Sequence, residues 1–107
     1  MKDIKWDEIE MLDFFDTEPI CLGAEEYIYS QKTQKSQWAI SLFLSVYENR
    51  VSVSIEYDDK VVVSLKFSNV VEIKKREDFL IINVLPNREI LIGKNPFYNI
   101  QEYTVNM

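Results

Sequence analysis

Glu72 and Lys74 lie two positions apart in a run of strand-forming residues, with Asp58 and Asp59 upstream of them. Such side chains can run one reaction, in which two carboxylates hold a divalent cation and a lysine positions the attacking water. The same spacing turns Val71 and Ile73 to the opposite side, which is also the pattern of a half-buried, solvent-facing strand. Other routes to catalysis are closed. The chain of 107 residues has no histidine, so it lacks the commonest general base and metal ligand and the usual partner of a serine or cysteine nucleophile. Its two glycines, Gly23 and Gly93, are too far apart for a glycine-rich phosphate loop. Asp13, Asp16 and Glu18 have an acidic spacing, but no glycine turn or closing Glu of a calcium loop follows. Cys21 sits in an apolar Pro-Ile-Cys-Leu-Gly context that offers a thiolate no cation, and it reads as a small buried hydrophobe. The expectation is a protein that is not an enzyme and uses no metal or cofactor.

Charge carries more information. Nine of the eighteen acids fall between Asp3 and Glu26, while the first 29 residues hold only Lys2 and Lys5 as bases. That end therefore has a net charge of −7 within a total of −6. Trp6, Ile9, Met11, Leu12, Phe14, Phe15 and Ile20 are interleaved with these acids. A one-signed field around apolar anchors suits capture of a basic protein partner. Asp7, Glu10, Asp13, Phe14, Asp16 and Glu18 are the expected contact residues; the acids at 13, 16 and 18 lead because they fall at or beyond the expected helix end. The competing account makes the aromatics core and the acids its wet face. Lys74-Lys75-Arg76 is too small a basic cluster to hold nucleic acid against the overall charge. The longest uncharged run, residues 36–47, is far short of the ~20 apolar residues of a membrane span. With one cysteine and no leader-like start, the expected compartment is the cytoplasm.

These residues need elements to position them. Over residues 6–15 the apolar positions Trp6, Ile9, Leu12 and Phe15 recur every three residues, with Met11 and Phe14 widening the stripe, and this predicts one short amphipathic helix ending near Asp16. From residue 25 the period becomes two. Residues 25–30, 38–47, 51–57, 61–67, 70–75, 79–85 and 89–92 read as strands broken by short polar turns, too short for helical crossovers. The predicted fold is α+β over one domain, residues 1–107: a short N-terminal helix packed on a mainly antiparallel, meandering sheet of about six or seven strands. A small closed β-barrel is the alternative. The near-continuous apolar run at residues 79–85, interrupted only at Asn83, predicts a strand covered on both faces. Asn95-Pro96 predicts a turn that docks Phe97 and Tyr98 on the core before a tail.

Three resemblances bear on function. Asp58 or Asp59 with Glu72-Ile73-Lys74 resembles the metal-dependent nucleases whose active site is an Asp followed by Glu-x-Lys, although that superfamily flanks its strands with helices that are missing here. Asn95-Pro96-Phe97-Tyr98 resembles the Asn-Pro-x-Tyr turn read by phosphotyrosine-binding-type domains. Finally, Trp6-Asp7-Glu8-Ile9-Glu10, the paired strands of residues 38–57 and the stretch 63–70 resemble, in general character, the small immunity proteins encoded beside bacterial polymorphic and contact-dependent toxins. That last resemblance implies stoichiometric inhibition of a toxin domain by an acidic surface. A small-ligand-binding β domain and a homo-oligomeric structural module stay open as alternatives; the oligomeric state is not readable from the chain.

Overall fold

The computed structural model describes residues 2–33 and 36–105. Helix α1 (Glu8–Phe15) is delimited by side-chain and backbone chemistry at both ends. Asp7 is its N-cap, with Oδ1 accepting from the backbone N–H of Ile9 at 2.8 Å and of Glu10 at 3.1 Å. Asp16 closes it in the left-handed region at φ 55°, donating its N–H to the Leu12 carbonyl at 2.7 Å. These contacts satisfy backbone groups that a helix end leaves orphaned.

The buried face of α1 is Met11, Phe14 and Phe15, which corrects the expected three-residue stripe. At about 100° per residue, nine positions leave Trp6 and Phe15 half a turn out of phase, so a strict i+3 run cannot hold one face. Ile9 and Leu12 accordingly point outward, 77 % and 45 % exposed. Trp6 lies ahead of the helix and packs instead on Tyr27, ring centroids 4.9 Å apart.

Among the described residues nine antiparallel strands follow in sequence order, two or three more than expected, and they divide into two open sheets. The first contains β1 (Ile20–Gly23), β2 (Glu26–Lys32), β3 (Trp38–Ser45), β4 (Arg50–Tyr57) and β5 (Lys60–Phe67). The second contains β6 (Val70–Arg76), β7 (Phe79–Val84), β8 (Arg88–Gly93) and β9 (Asn99–Thr104). No barrel closes, because the meander breaks at the Ser68-Asn69 turn and β6 starts a new sheet. The additional strands are β1, where Pro19 and Gly23 had suggested only punctuation, and β9, where a tail was expected.

Period-two patterning sets the core. Ile40, Leu42 and Leu44 of β3 face Ile55, Val53 and Val51 of β4 across the register, and all six are buried. Leu80 and Ile82 of β7 face Ile92 and Ile90 of β8 in the same way. These side chains join Met11, Phe14 and Phe15 in one continuous cluster. Leu80, Ile81 and Ile82 are all buried, so β7 is covered on both faces as its near-continuous apolar run predicts. Strand β5 differs. Only Phe67 is buried there, and Val61, Val62, Val63 and Leu65 are exposed, since β5 is the outer edge of the larger sheet.

The N-terminal segment seals the edge of β6. Lys5 donates its N–H to the Val71 carbonyl at 3.0 Å and accepts from the N–H of Ile73 at 2.9 Å, in parallel pairing. Asn49, in the β3–β4 turn at φ 54°, ties three segments together. Its Nδ2 donates to the Lys2 carbonyl at 2.6 Å and the Val70 carbonyl at 2.9 Å, and its own carbonyl accepts from Val70 N–H at 2.9 Å. Together these contacts fix where the helix begins.

Candidate functional site

The acids expected to contact a partner are distributed over several jobs. Asp7 is consumed as the N-cap of α1. Glu10 reaches across to β6, where Oε1 accepts the backbone N–H of Lys75 at 3.1 Å. Asp13 forms an ion pair with the Lys75 ammonium at 2.8 Å; that hydrogen bond and charge hold its carboxyl below the usual carboxylate range and push the lysine up. Asp16 is the helix C-cap through its backbone N–H, and its side chain stays exposed. Phe14 is wholly buried and has no surface to offer a partner, which corrects its place among the contact residues. Glu18 lies elsewhere, on the wall of a cleft.

That cleft, about 390 Å³, separates α1 from the β1–β2 hairpin. Glu8, Leu12, Glu18, Pro19, Tyr27 and Tyr29 line it, with Cys21 at its side. The placement follows from periodicity. Glu8 and Leu12 are four apart and stack on one helix face, and Tyr27 and Tyr29 are two apart and share one face of β2. Cys21 pairs with Tyr27 across the hairpin; it is exposed, contrary to the expected burial, because β1 is an edge strand with no described element covering it. Ile20 and Leu22 are exposed on the same strand.

Aromatic rings make the inner wall. Tyr29 is fully buried, stacked on Phe15 with centroids 5.7 Å apart and met edge-on by Trp6 at 6.2 Å. Its hydroxyl has no hydrogen-bond partner among the described residues. Burial first, then the negative charge of Glu8, push the Tyr29 phenol far above its usual range. Tyr27 is pushed up for the same leading reason, with Cys21, Glu25 and Glu8 adding to it. The cleft therefore joins an apolar aromatic wall to carboxylates. Sequence reasoning missed Glu8, Tyr27 and Tyr29 as a group, although the Tyr-x-Tyr alternation directly after the acidic segment was a usable signal.

A second, larger groove of about 810 Å³ opens at the other end of α1, between Phe15, Gln31, Trp38, Lys94, Phe97 and Tyr98. Lys94 donates to the Phe14 carbonyl at 2.6 Å and sits 4.7 Å from the centre of the Phe14 ring, a cation at the negative end of the helix. The Asn95-Pro96 turn joins β8 to β9; Tyr98 docks, donating to the Gln31 carbonyl at 3.4 Å. Phe97 does not dock. It is 76 % exposed, in the bend ahead of β9 and not on a strand face.

The nuclease arrangement is not assembled. Asp58 and Asp59 form the β4–β5 turn, both at positive φ, at the end of β5 away from the Ser68-Asn69 turn that leads into β6. Glu72 is engaged by Lys5 at 3.9 Å, Lys74 at 3.8 Å and Asn83 at 3.3 Å. Among the described residues no three metal-binding side chains come together. The basic run is neutralised at each position: Lys74 by Glu72, Lys75 by Asp13 and Arg76 by Glu89 at 3.5 Å. Among the described residues no helix is long and apolar enough to cross a membrane.

No protein-family model matches the chain, and no curated protein matches its sequence. Among solved structures, a chain of the contact-dependent growth inhibition toxin–immunity protein complex from Klebsiella pneumoniae 342 superposes with a TM-score of 0.84. The match covers 98 % of this chain and 100 % of that one, at 19 % identity. The likeness is one of fold. It extends over nearly the whole of both chains.

Proposed function

We propose that this protein is an immunity protein: a non-catalytic, cytoplasmic inhibitor that neutralises a cognate toxin by stoichiometric binding. The observation that carries this reading is the fold shared over the full length with a chain of a toxin–immunity complex. The inhibitor's side of such a pair suits this chain better than the toxin's. It has no histidine, its Glu72 and Lys74 are tied up in ion pairs, and its excess negative charge is gathered at one end. The partner surface is then basic, and the acidic end around the α1–hairpin cleft receives it. Complementary fields raise association rates, up to about 10⁸–10⁹ M⁻¹s⁻¹ at low salt, and buried aromatics slow release.

The test is co-expression with the toxin reading frame next to this chain's gene, followed by stopped-flow association at two ionic strengths. Binding should be one to one, suppress toxicity and slow steeply with salt, because surface charges are screened over ~10 Å at 0.1 M. Glu18→Lys should weaken binding at least tenfold and melt close to the parent protein. Asp13→Lys is a poorer probe than the sequence suggested, since it also breaks the Lys75 pair. Normal binding by Glu18→Lys and Asp16→Lys, with loss on reversal of Glu56, Glu72 or Glu89, moves the interface to the sheets.

One observation supports a second reading. The larger groove has the aromatic lining of a small-ligand site, and native mass spectrometry of gently purified protein would reveal a retained molecule.

A further inference from the structure

We propose that copies of this chain associate edge to edge, the acid-flanked outer edge of β1 in one copy pairing with the lysine-bearing outer edge of β5 in the next. This goes beyond the immunity reading and does not depend on it.

The five-stranded sheet ends in β1 on one side and in β5 on the other. None of the backbone hydrogen bonds made outside the two sheets involves residues 20–23 or 60–67. Among the described residues, the outward N–H and C=O groups of both strands are therefore unpaired, and such an edge is a template for another strand. Both edges also hold apolar side chains in water. Ile20 and Leu22 are 61 % and 51 % exposed, Val61 and Val62 57 % and 53 %, and Val63 and Leu65 38 % each. Adjoining apolar side chains left in water mark an interaction surface. The smaller sheet offers no equal, since Lys5 already seals β6 and β9 is mostly polar.

Charge selects the occupant. Residues 6–31 hold eight acids and no base, whereas residues 60–71 hold two lysines and no acid. Glu18 and Glu26 flank β1, and neither they nor Lys60 and Lys66 take part in an ion pair among the described residues. Asp58 and Asp59, in the turn ahead of β5, offset Lys60 and leave Lys66 as the deciding cation. Two β5 edges brought together set lysines against lysines, and two β1 edges set acids against acids; like charges across a strand pair are destabilising. Unlike edges attract, while main-chain hydrogen bonds supply affinity. Lengths agree as well. Beyond its irregularity near Val62, β5 pairs one to one with β4 over residues 63–67, long enough for the four residues of β1. The register shifts in both strands keep the contact weak, because bulges blunt an edge. Each copy presents one edge of each kind, so the contact is head-to-tail and a second copy does not close it.

Sedimentation velocity of the full chain over a wide concentration range tests this. The mean mass should rise with concentration past two chains and fall as salt screens the flanking charges. Leu22→Lys puts a cation on the β1 edge, and Lys66→Glu puts an acid on the β5 edge. Both positions are exposed, so each variant should melt close to the parent and self-associate at least tenfold more weakly. Mixing the two should restore association, because the intact β5 edge of one meets the intact β1 edge of the other. Should either variant fold poorly, Ile20→Lys and Val62→Glu, also at exposed positions, carry the same mixing test.

A parent protein that stays monomeric throughout overturns the proposal, as does a mass that stops at two chains. A symmetric pair through β5 would leave Leu22→Lys assembled, one through β1 would leave Lys66→Glu assembled, and either result overturns it. Unchanged association in both variants, or a mixture that fails to reassemble, overturns it too. Toxin binding is measured separately, so none of these results bears on the immunity reading.

Discussion

Replacing Asn49 by alanine tests how the two sheets and the N-terminal segment are held in register. Asn49 is 6 % exposed, and its amide donates to the carbonyls of Lys2 and Val70 at 2.6 and 2.9 Å. Each such bond contributes about 0.5–1.5 kcal/mol net, and deleting the donor strands two carbonyls, of which the buried one carries most of a further ~1–3 kcal/mol penalty. The backbone adds to this. At φ 54° asparagine is tolerated better than alanine, a difference on the order of 0.5–1 kcal/mol. The expected loss for Asn49→Ala is about 2–4 kcal/mol, which for a chain of this size lowers the midpoint by on the order of 10 °C. Asn49→Gly should recover the backbone part and sit roughly 0.5–1 kcal/mol above alanine. Asn49→Asp, which can only accept, should be no better than alanine. Urea unfolding followed by circular dichroism measures all three, with an unchanged slope as the check that the comparison concerns stability. An alanine variant within about 0.5 kcal/mol of the parent would refute the tether, and a glycine variant no better than alanine would refute the conformational contribution.

Three other outcomes follow from the same geometry. Phe14→Ala removes a wholly buried ring and should cost about 3–5 kcal/mol, so any loss of partner binding must be accompanied by a lowered urea midpoint; weakened binding at parent stability would return Phe14 to the interface. Asp59→Gly creates an Asp-Gly pair in a turn where both central residues have positive φ and should stabilise by about 0.5–1 kcal/mol while leaving partner affinity unchanged; a loss of stability would mean that the Asp59 side chain is itself holding the turn. Because burial raises the Tyr29 phenol above its ordinary 10.0, the folded protein keeps that proton when the unfolded chain has lost it. Its contribution is complete below pH 10 and is lost as pH rises, at up to about 1.4 kcal/mol per pH unit. Unfolding midpoints measured from pH 9 to 11 should fall more steeply for the parent than for Tyr29→Phe, and equal slopes would show that Tyr29 ionises freely.

Much of this protein was legible from residue order alone. Period-two alternation, β-branched runs and short polar turns specify antiparallel strands because neighbouring side chains on a strand face opposite ways, and this is a local property. The exclusion of histidine-based chemistry, and the concentration of acids at one end, are properties of composition and order. Helix termination at Asp16 was equally local, since Pro19 and Gly23 follow closely. What order could not reveal is which of two faces a short helix buries, because with eight residues the Met11–Phe14–Phe15 and Trp6–Ile9–Leu12–Phe15 patterns compete and only contact with β2 and β6 decides between them. The break into two sheets at Ser68-Asn69 is likewise tertiary, since that turn reads like the others and the register of β6 is set by Lys5 and Asn49 from distant parts of the chain. The same holds for the acids. Asp7, Glu10, Asp13, Asp16 and Glu18 look alike in sequence, but packing commits the Asp7 carboxylate to the helix start and Glu10 and Asp13 to Lys75, while Asp16 closes the helix through its backbone and keeps an exposed carboxylate. Of these five, Glu18 is the one that shares the cleft wall with Glu8, because a carboxylate's role depends on what the fold brings close to it.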